Sequence, residues 1–75
     1  MIRLLALDLD GTVLDSHGKL PDRNRAAIAR AIDAGVEVAI ATGRRYDFAR
    51  PIIERLPAPL TLILSNGAIV KRHDA

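Results

Sequence analysis

The sequence has no cysteine and no tryptophan, and its aromatic content stops at Tyr46 and Phe48. Without thiols there is no disulfide to brace a small fold, no cysteine nucleophile and no thiolate zinc site. The formal charge of +2 comes mainly from scattered arginines. With no long run of cations, and almost no aromatics to stack on bases, a nucleic-acid partner is not expected. No stretch of about 18 apolar residues is present to cross a bilayer, so no membrane partner is expected. Met1 leads directly into a short apolar run, with none of the charged, apolar and cleavage regions of a secretory signal. A soluble, cytoplasmic protein is expected. Internal repeats, linkers and low-complexity segments are also missing.

What is present is a chain that needs a core. Hydrophobic residues make up 49% of it and charged residues 27%, the balance of a packed protein and not of a disordered one. Its 75 residues are at most one small domain. Chains of this size bury only about 60% of the surface their unfolded state exposes, so the core is marginal without a disulfide, a metal or a partner.

The apolar pattern predicts alternating strands and helices. Residues 2–9 are apolar except for Arg3 and Asp8, and the run is too short for a typical helix before Gly11, so it reads as a buried parallel strand. Residues 12–20 carry Asp15, Ser16, His17 and Gly18 between apolar pairs, which predicts a short turn or hairpin. Residues 22–34 change to helical spacing, with Ala27, Ile28, Ala31 and Ile32 on one stripe. Pro21 and Asp22 suit its start and Gly35 its stop. Residues 36–41 are a second buried-strand signal. A second helix follows, with Tyr46, Ala49, Ile52, Ile53 and Leu56 as its apolar face. Pro51 removes one intrahelical hydrogen bond and predicts a kink there, or a start near Arg50. Residues 60–64 read as a third strand, and residues 68–71 as the first arm of a hairpin. The order strand, helix, strand, helix, strand gives an α/β fold, a partial Rossmann-like core of three parallel strands joined by right-handed crossover helices.

Ligands of such sheets bind outside the carboxyl ends of the strands, at which all three polar clusters fall. The first is Asp8-Leu9-Asp10-Gly11-Thr12. Strand periodicity points Asp8 and Asp10 the same way, and two converging carboxylates favour a bound cation or a shared proton. The alternative is an ordinary Asp-Gly turn. A calcium loop does not fit, since its glycine position falls on Val13 and its last glutamate position on Lys19. In Thr42-Gly43-Arg44, a hydroxyl, a closely approachable backbone and a cation make an anion cradle, the alternative being a helix cap on Thr42. Ser65-Asn66-Gly67 is a strong hairpin signal that needs no ligand.

Asp8-Leu9-Asp10-Gly11-Thr12 after an apolar strand is similar to the first motif of the haloacid dehalogenase superfamily. The apolar run ending in Thr42 resembles its second. Thr42-Gly43-Arg44, followed one strand later by Ser65-Asn66-Gly67-Ala68, resembles the Cof-type (IIB) branch, which includes many sugar-phosphate phosphatases. The resemblance covers nearly the whole chain.

It implies that residues 1–75 are the N-terminal part of a core domain whose parent is a Mg²⁺-dependent phosphohydrolase of small phosphorylated metabolites. By the resemblance, Asp8 is the nucleophile that becomes an aspartyl phosphate and Asp10 is the general acid and base. The Asp8 carboxylate and the Asp10 carbonyl are implied ligands of Mg²⁺. Gly11, Thr12, Thr42, Gly43, Arg44 and Asn66 are implied to bind phosphate or substrate. The family's later lysine, its later acidic pair and its cap have no counterpart within these residues. Lys71 follows the Asn-Gly turn too closely to be that lysine, Asp74 is too near the terminus for the acidic pair, and residues 14–20 leave no room for a cap.

The rival reading is a catalytically inactive fragment with weak phosphate or partner binding, prone to self-association through an unpaired sheet edge. A receiver-type phosphoacceptor fits less well, because its acceptor position falls on Ser65.

Overall fold

The computed structural model describes residues 3–74 of the chain. In it, the expected alternation forms a four-stranded sheet of order β1-β2-β3-β4. The strands are β1 (Leu4–Asp8), β2 (Glu37–Ala41), β3 (Leu60–Leu64) and β4 (Ile69–His73), and the helices are α1 (Asp22–Asp33) and α2 (Tyr46–Ile53). The first three strands are parallel, with Asp8 beside Ala41 and Ala41 beside Ile63. Ile2, the expected start of the first strand, lies outside the described residues, as do Met1 and Ala75.

Val38 and Ile40 of β2, with Leu60, Leu62 and Leu64 of β3, pack against Ile28 of α1 and Ile53 of α2 in one hydrophobic cluster. The apolar stripe of α1 and the apolar face of α2 therefore meet the same face of the sheet. β2 has a neighbour on each side and is buried along its centre, as a continuous apolar run predicts. β1 carries the same kind of run but has a neighbour only on the β2 side, which leaves Leu4 64% and Leu5 39% exposed. The other sheet face carries a polar network. There Thr61 donates its hydroxyl to Glu37 at 3.2 Å, and Arg72 lies 3.7 Å from the same carboxylate.

Two expectations are corrected. α2 begins at Tyr46, not near Arg50, and continues through Pro51. Proline withholds one N–H, which costs little where the helix ends two residues later at Ile53. Residues 68–71 belong to the returning arm of a hairpin and not to a first arm, because β4 runs antiparallel to β3 with Leu64 beside Ile69. Consecutive left-handed residues, Ser65 at φ 51° and Asn66 at φ 57°, reverse the chain between them.

The expected turn near residues 15–18 is held by Asp15. Its carboxylate accepts from the backbone N–H of His17 at 2.8 Å and of Lys19 at 2.9 Å. The Lys19 amide, then the His17 amide, hold the Asp15 carboxyl below its ordinary value. A carboxylate depressed by folding stabilises the fold above its unfolded pKa, and that contribution is lost as pH falls through the lower, folded value. We therefore expect the Asp15 carboxyl carbon to titrate in NMR with a midpoint below that of an ordinary aspartate. A midpoint at or above the ordinary one would show that the two amide contacts do not persist in solution.

Candidate active site

The parallel register sets the carboxyl ends of β1, β2 and β3 side by side, and each runs into a polar loop. Between them lies a cleft of about 220 Å³ lined by Asp8, Ala41, Thr42, Gly43, Ile63, Asn66 and Gly67. Four residues singled out from separate stretches of sequence, Asp8, Thr42, Gly43 and Asn66, thus border one space.

After β1 the chain makes one wide turn over Leu9–Val13, closed by the Leu14 N–H on the Leu9 carbonyl at 2.9 Å. Leu9, Val13 and Leu14 are buried and anchor the turn from below. Asp10, Gly11 and Thr12 are left exposed above it, with Gly11 at φ 82°, the left-handed region that glycine enters without steric cost. Asp10, Gly11, Thr12 and Arg44 do not line the cleft. Thr12 instead borders a separate apolar recess with Leu5, Leu7 and Val13.

Asn24 supports this turn and was not singled out from the sequence. Its amide donates to the Val13 carbonyl at 2.9 Å and to the Thr12 carbonyl at 3.4 Å, tying α1 to the loop.

Thr42 is buried, at 5% exposure. Its backbone N–H reaches the Ile63 carbonyl at 2.9 Å, and its hydroxyl oxygen accepts from the Arg44 N–H at 3.1 Å. The hydroxyl keeps its own hydrogen to donate. Thr42 is not the cap of α2, because that position is Arg45, which makes no side-chain capping bond.

The turn after β3 closes against this loop. Ser65 N–H bonds the Arg44 carbonyl at 3.1 Å and Asn66 N–H the Thr42 carbonyl at 3.4 Å. Left-handed non-glycine residues are costly and persist where their surroundings over-determine them, often at functional sites. Here both bonds serve that purpose. Gly43 meets the same turn so closely that a Cβ at its position would lie 3.0 Å from the Asn66 side-chain oxygen. The Asn-Gly pair is therefore both a hairpin turn and one wall of the cleft.

Arg44 crosses to the first loop. Its Nη2 lies 2.7 Å from Asp10 Oδ1 and its Nε 3.2 Å from Oδ2. Asp8 and Asp10 supply oxygen donors, with backbone carbonyls beside them, a set that suits a hard cation keeping several waters. Among the described residues no group of three or more His, Cys, Asp or Glu side chains is placed to hold a metal. Lys71 stands apart from the cleft, its ammonium 4.2 Å from the centroid of the Tyr46 ring.

The sequence profile described as haloacid dehalogenase-like hydrolase matches residues 5–75. Among curated proteins the chain is 43% identical, over 67 residues, to a 5-amino-6-(5-phospho-D-ribitylamino)uracil phosphatase of Bacillus subtilis, covering 89% of this chain and 27% of that protein. It is 36% identical to the pyridoxal phosphate phosphatase of Escherichia coli, covering 97% of this chain and 27% of that one. The solved structure of a haloacid dehalogenase-like hydrolase from B. subtilis superposes with a TM-score of 0.84 at 32% identity, covering 97% of this chain and 27% of that chain. The chain thus spans about a quarter of the length of the relatives it matches.

Proposed function

The chain belongs to the haloacid dehalogenase-like hydrolase family, and from that premise we propose that residues 1–75 form the N-terminal part of the core domain of a cytoplasmic, Mg²⁺-dependent phosphatase of small phosphorylated metabolites. The observation that supports this reading is the convergence of Asp8, Thr42, Gly43 and Asn66 on one cleft at the carboxyl ends of parallel strands. Relatives named as phosphatases of a phosphoribityl compound and of pyridoxal phosphate point to the substrate class.

In this proposal an Asp8 carboxylate oxygen attacks phosphorus while the ester oxygen leaves, taking a proton from Asp10, and an aspartyl phosphate forms. Water then attacks that phosphorus, giving its proton back to Asp10 and releasing inorganic phosphate. The Thr42 hydroxyl hydrogen and the Gly43 amide hold phosphoryl oxygens, where hydrogen bonds directed at developing charge are most effective. Asn66 faces the same group from the third loop, while Gly11 and Thr12, outside the cleft, shape the turn that carries Asp10. Mg²⁺, typical of the family, would be held by the Asp8 carboxylate and the Asp10 carbonyl, where it would supply positive charge between an anionic nucleophile and an anionic ester. For the 75 residues by themselves we propose an inactive fragment that associates through its open β1 edge.

The test is a panel of phosphorylated sugars, pyridoxal phosphate and a phosphoribityl compound, given to the complete protein with Mg²⁺ and with a chelator. Phosphate release is expected with the metal, loss with the chelator, and recovery when Mg²⁺ is returned. Acid-quenched protein is expected to carry an acyl phosphate that hydroxylamine removes. Turnover without that acyl phosphate would rule out the covalent route.

A further inference from the structure

We propose that Arg44 is a positioning residue that acts through Asp10, fixing the carboxylate to which the phosphatase reading gives the proton transfers, and does not act as a substrate anchor. The inference rests on the phosphatase reading above, and it begins from the geometry of one pair. Two nitrogens of Arg44 meet the two oxygens of Asp10, at 2.7 Å and 3.2 Å. A planar fork meeting both carboxylate oxygens sets the orientation of the carboxylate as well as its location, which a single contact or a point charge does not do.

Each end of this pair has a reason to need the other. Asp10 stands on an exposed turn beside Gly11, which is at φ 82°. Both hydrogen-bond partners of its side chain among the described residues are nitrogens of Arg44. Left alone, such a carboxylate would sample several rotamers, whereas proton transfer needs it within about 2.6–3.2 Å of the reacting oxygen. Arg44 is the better-fixed partner. Its own N–H is held by the Thr42 hydroxyl oxygen at 3.1 Å, and its carbonyl receives the Ser65 N–H at 3.1 Å. The backbone that launches the guanidinium is thereby locked to the β2 and β3 loops, and the fork carries that rigidity to the β1 loop.

Stability does not explain the pair. Its side chains are 39% and 51% exposed, and ion pairs so open to water contribute little to folding. While both Nε and Nη2 face Asp10, the edge they share is occupied and is not offered to a phosphoryl group, which leaves only the Nη1 end of the guanidinium for any other anion.

The chemistry that depends on Asp10 separates the two roles of Arg44. With 4-nitrophenyl phosphate the leaving phenolate needs no proton, so formation of the Asp8 acyl phosphate does not require Asp10. Breakdown does require it. Water attacks phosphorus, its proton passes to an Asp10 oxygen, and the bond from phosphorus to Asp8 breaks with its electron pair returning to the Asp8 carboxylate as inorganic phosphate leaves. Losing the fork should slow this second step alone.

The experiment uses the complete protein, wild type and Arg44→Met, with 4-nitrophenyl phosphate and Mg²⁺ in rapid-mixing kinetics. The expected result is breakdown slowed about tenfold or more, part of the 10²–10⁴ that such proton transfer contributes. kcat and KM should fall together, with kcat/KM and the burst rate changed less than about twofold. A drop in kcat/KM with breakdown unchanged would overturn the proposal in favour of a substrate contact. Arg44→Lys keeps the charge without the fork and is expected to leave breakdown slow. Full rescue by lysine would overturn the fork as the operative feature. One arm needs no turnover: the Arg44 Nε–H resonance of ¹⁵N-labelled wild-type protein should be protected from exchange and should lose that protection in Asp10→Ala. A wild-type protein that releases no phosphate defeats the phosphatase reading, and this resonance then decides the pairing. Its protection supports the pair, and rapid exchange in the wild type overturns it.

Discussion

Asp8→Asn is expected to abolish phosphate release by the complete protein, with loss on the order of 10⁶, the scale seen when a covalent catalyst is deprived of its nucleophile. An amide does not attack phosphorus, and it is a poorer ligand for a hard cation than a carboxylate. Position makes the test specific. Asp8 closes β1 beside Ala41 and lines the cleft that Thr42, Gly43 and Asn66 share. Its backbone pairing does not involve the carboxylate, and the near-isosteric Asn should leave the fold and its thermal transition in place. A folded Asp8→Asn protein that keeps more than about one per cent of wild-type turnover would remove Asp8 from the chemistry.

Much of this arrangement could be read from sequence, and the reason is local. The runs that became β2 and β3 are apolar because both strands have neighbours on each side, and the stripe of α1 has helical spacing because one side of it meets the cluster around Ile40 and Leu62. Parallel strands then bring their polar ends to one edge by topology alone, which is why three short clusters could be assigned to one place.

What escaped was either long-range or cheap. The Arg44 fork on Asp10 joins residues 34 apart in sequence, and no periodicity records it. Pro51 predicts a kink or a start near Arg50 because proline removes a hydrogen bond, yet α2 is eight residues long, starts at Tyr46 and loses only one. The fourth strand was half read. Asn-Gly signalled the turn, but the left-handed backbone extends back to Ser65, a residue type that gives no warning of it. The exposure of β1 had no sequence signal either, since an apolar run looks alike whether one neighbour is present or two.

That exposure leads to the second large effect. A polypeptide of these 75 residues alone is expected to show no Mg²⁺-dependent turnover and to associate. The β1 edge presents unpaired backbone groups, with Leu4 64% and Leu5 39% exposed beside it, and at the opposite edge Val70 is 67% exposed. Open apolar edges of this kind are templates for strand pairing. The charge at the cleft is also thin. Asp8 is the one acidic side chain among the described residues that line it, and Lys71 lies over the Tyr46 ring. By the family resemblance a lysine and an acidic pair are missing from the constellation, and one preorganised group of this sort is worth about 2.7–4 kcal/mol of barrier. Two such losses place the rate about four to six orders of magnitude down, since each 1.36 kcal/mol is tenfold. Sedimentation velocity and a phosphate-release assay on the isolated polypeptide check both halves. A monomer that unfolds cooperatively and turns over phosphate esters with Mg²⁺ would mean that these residues complete the site by themselves, with a lysine and a carboxylate reaching the cleft in solution from positions where the structure does not place them.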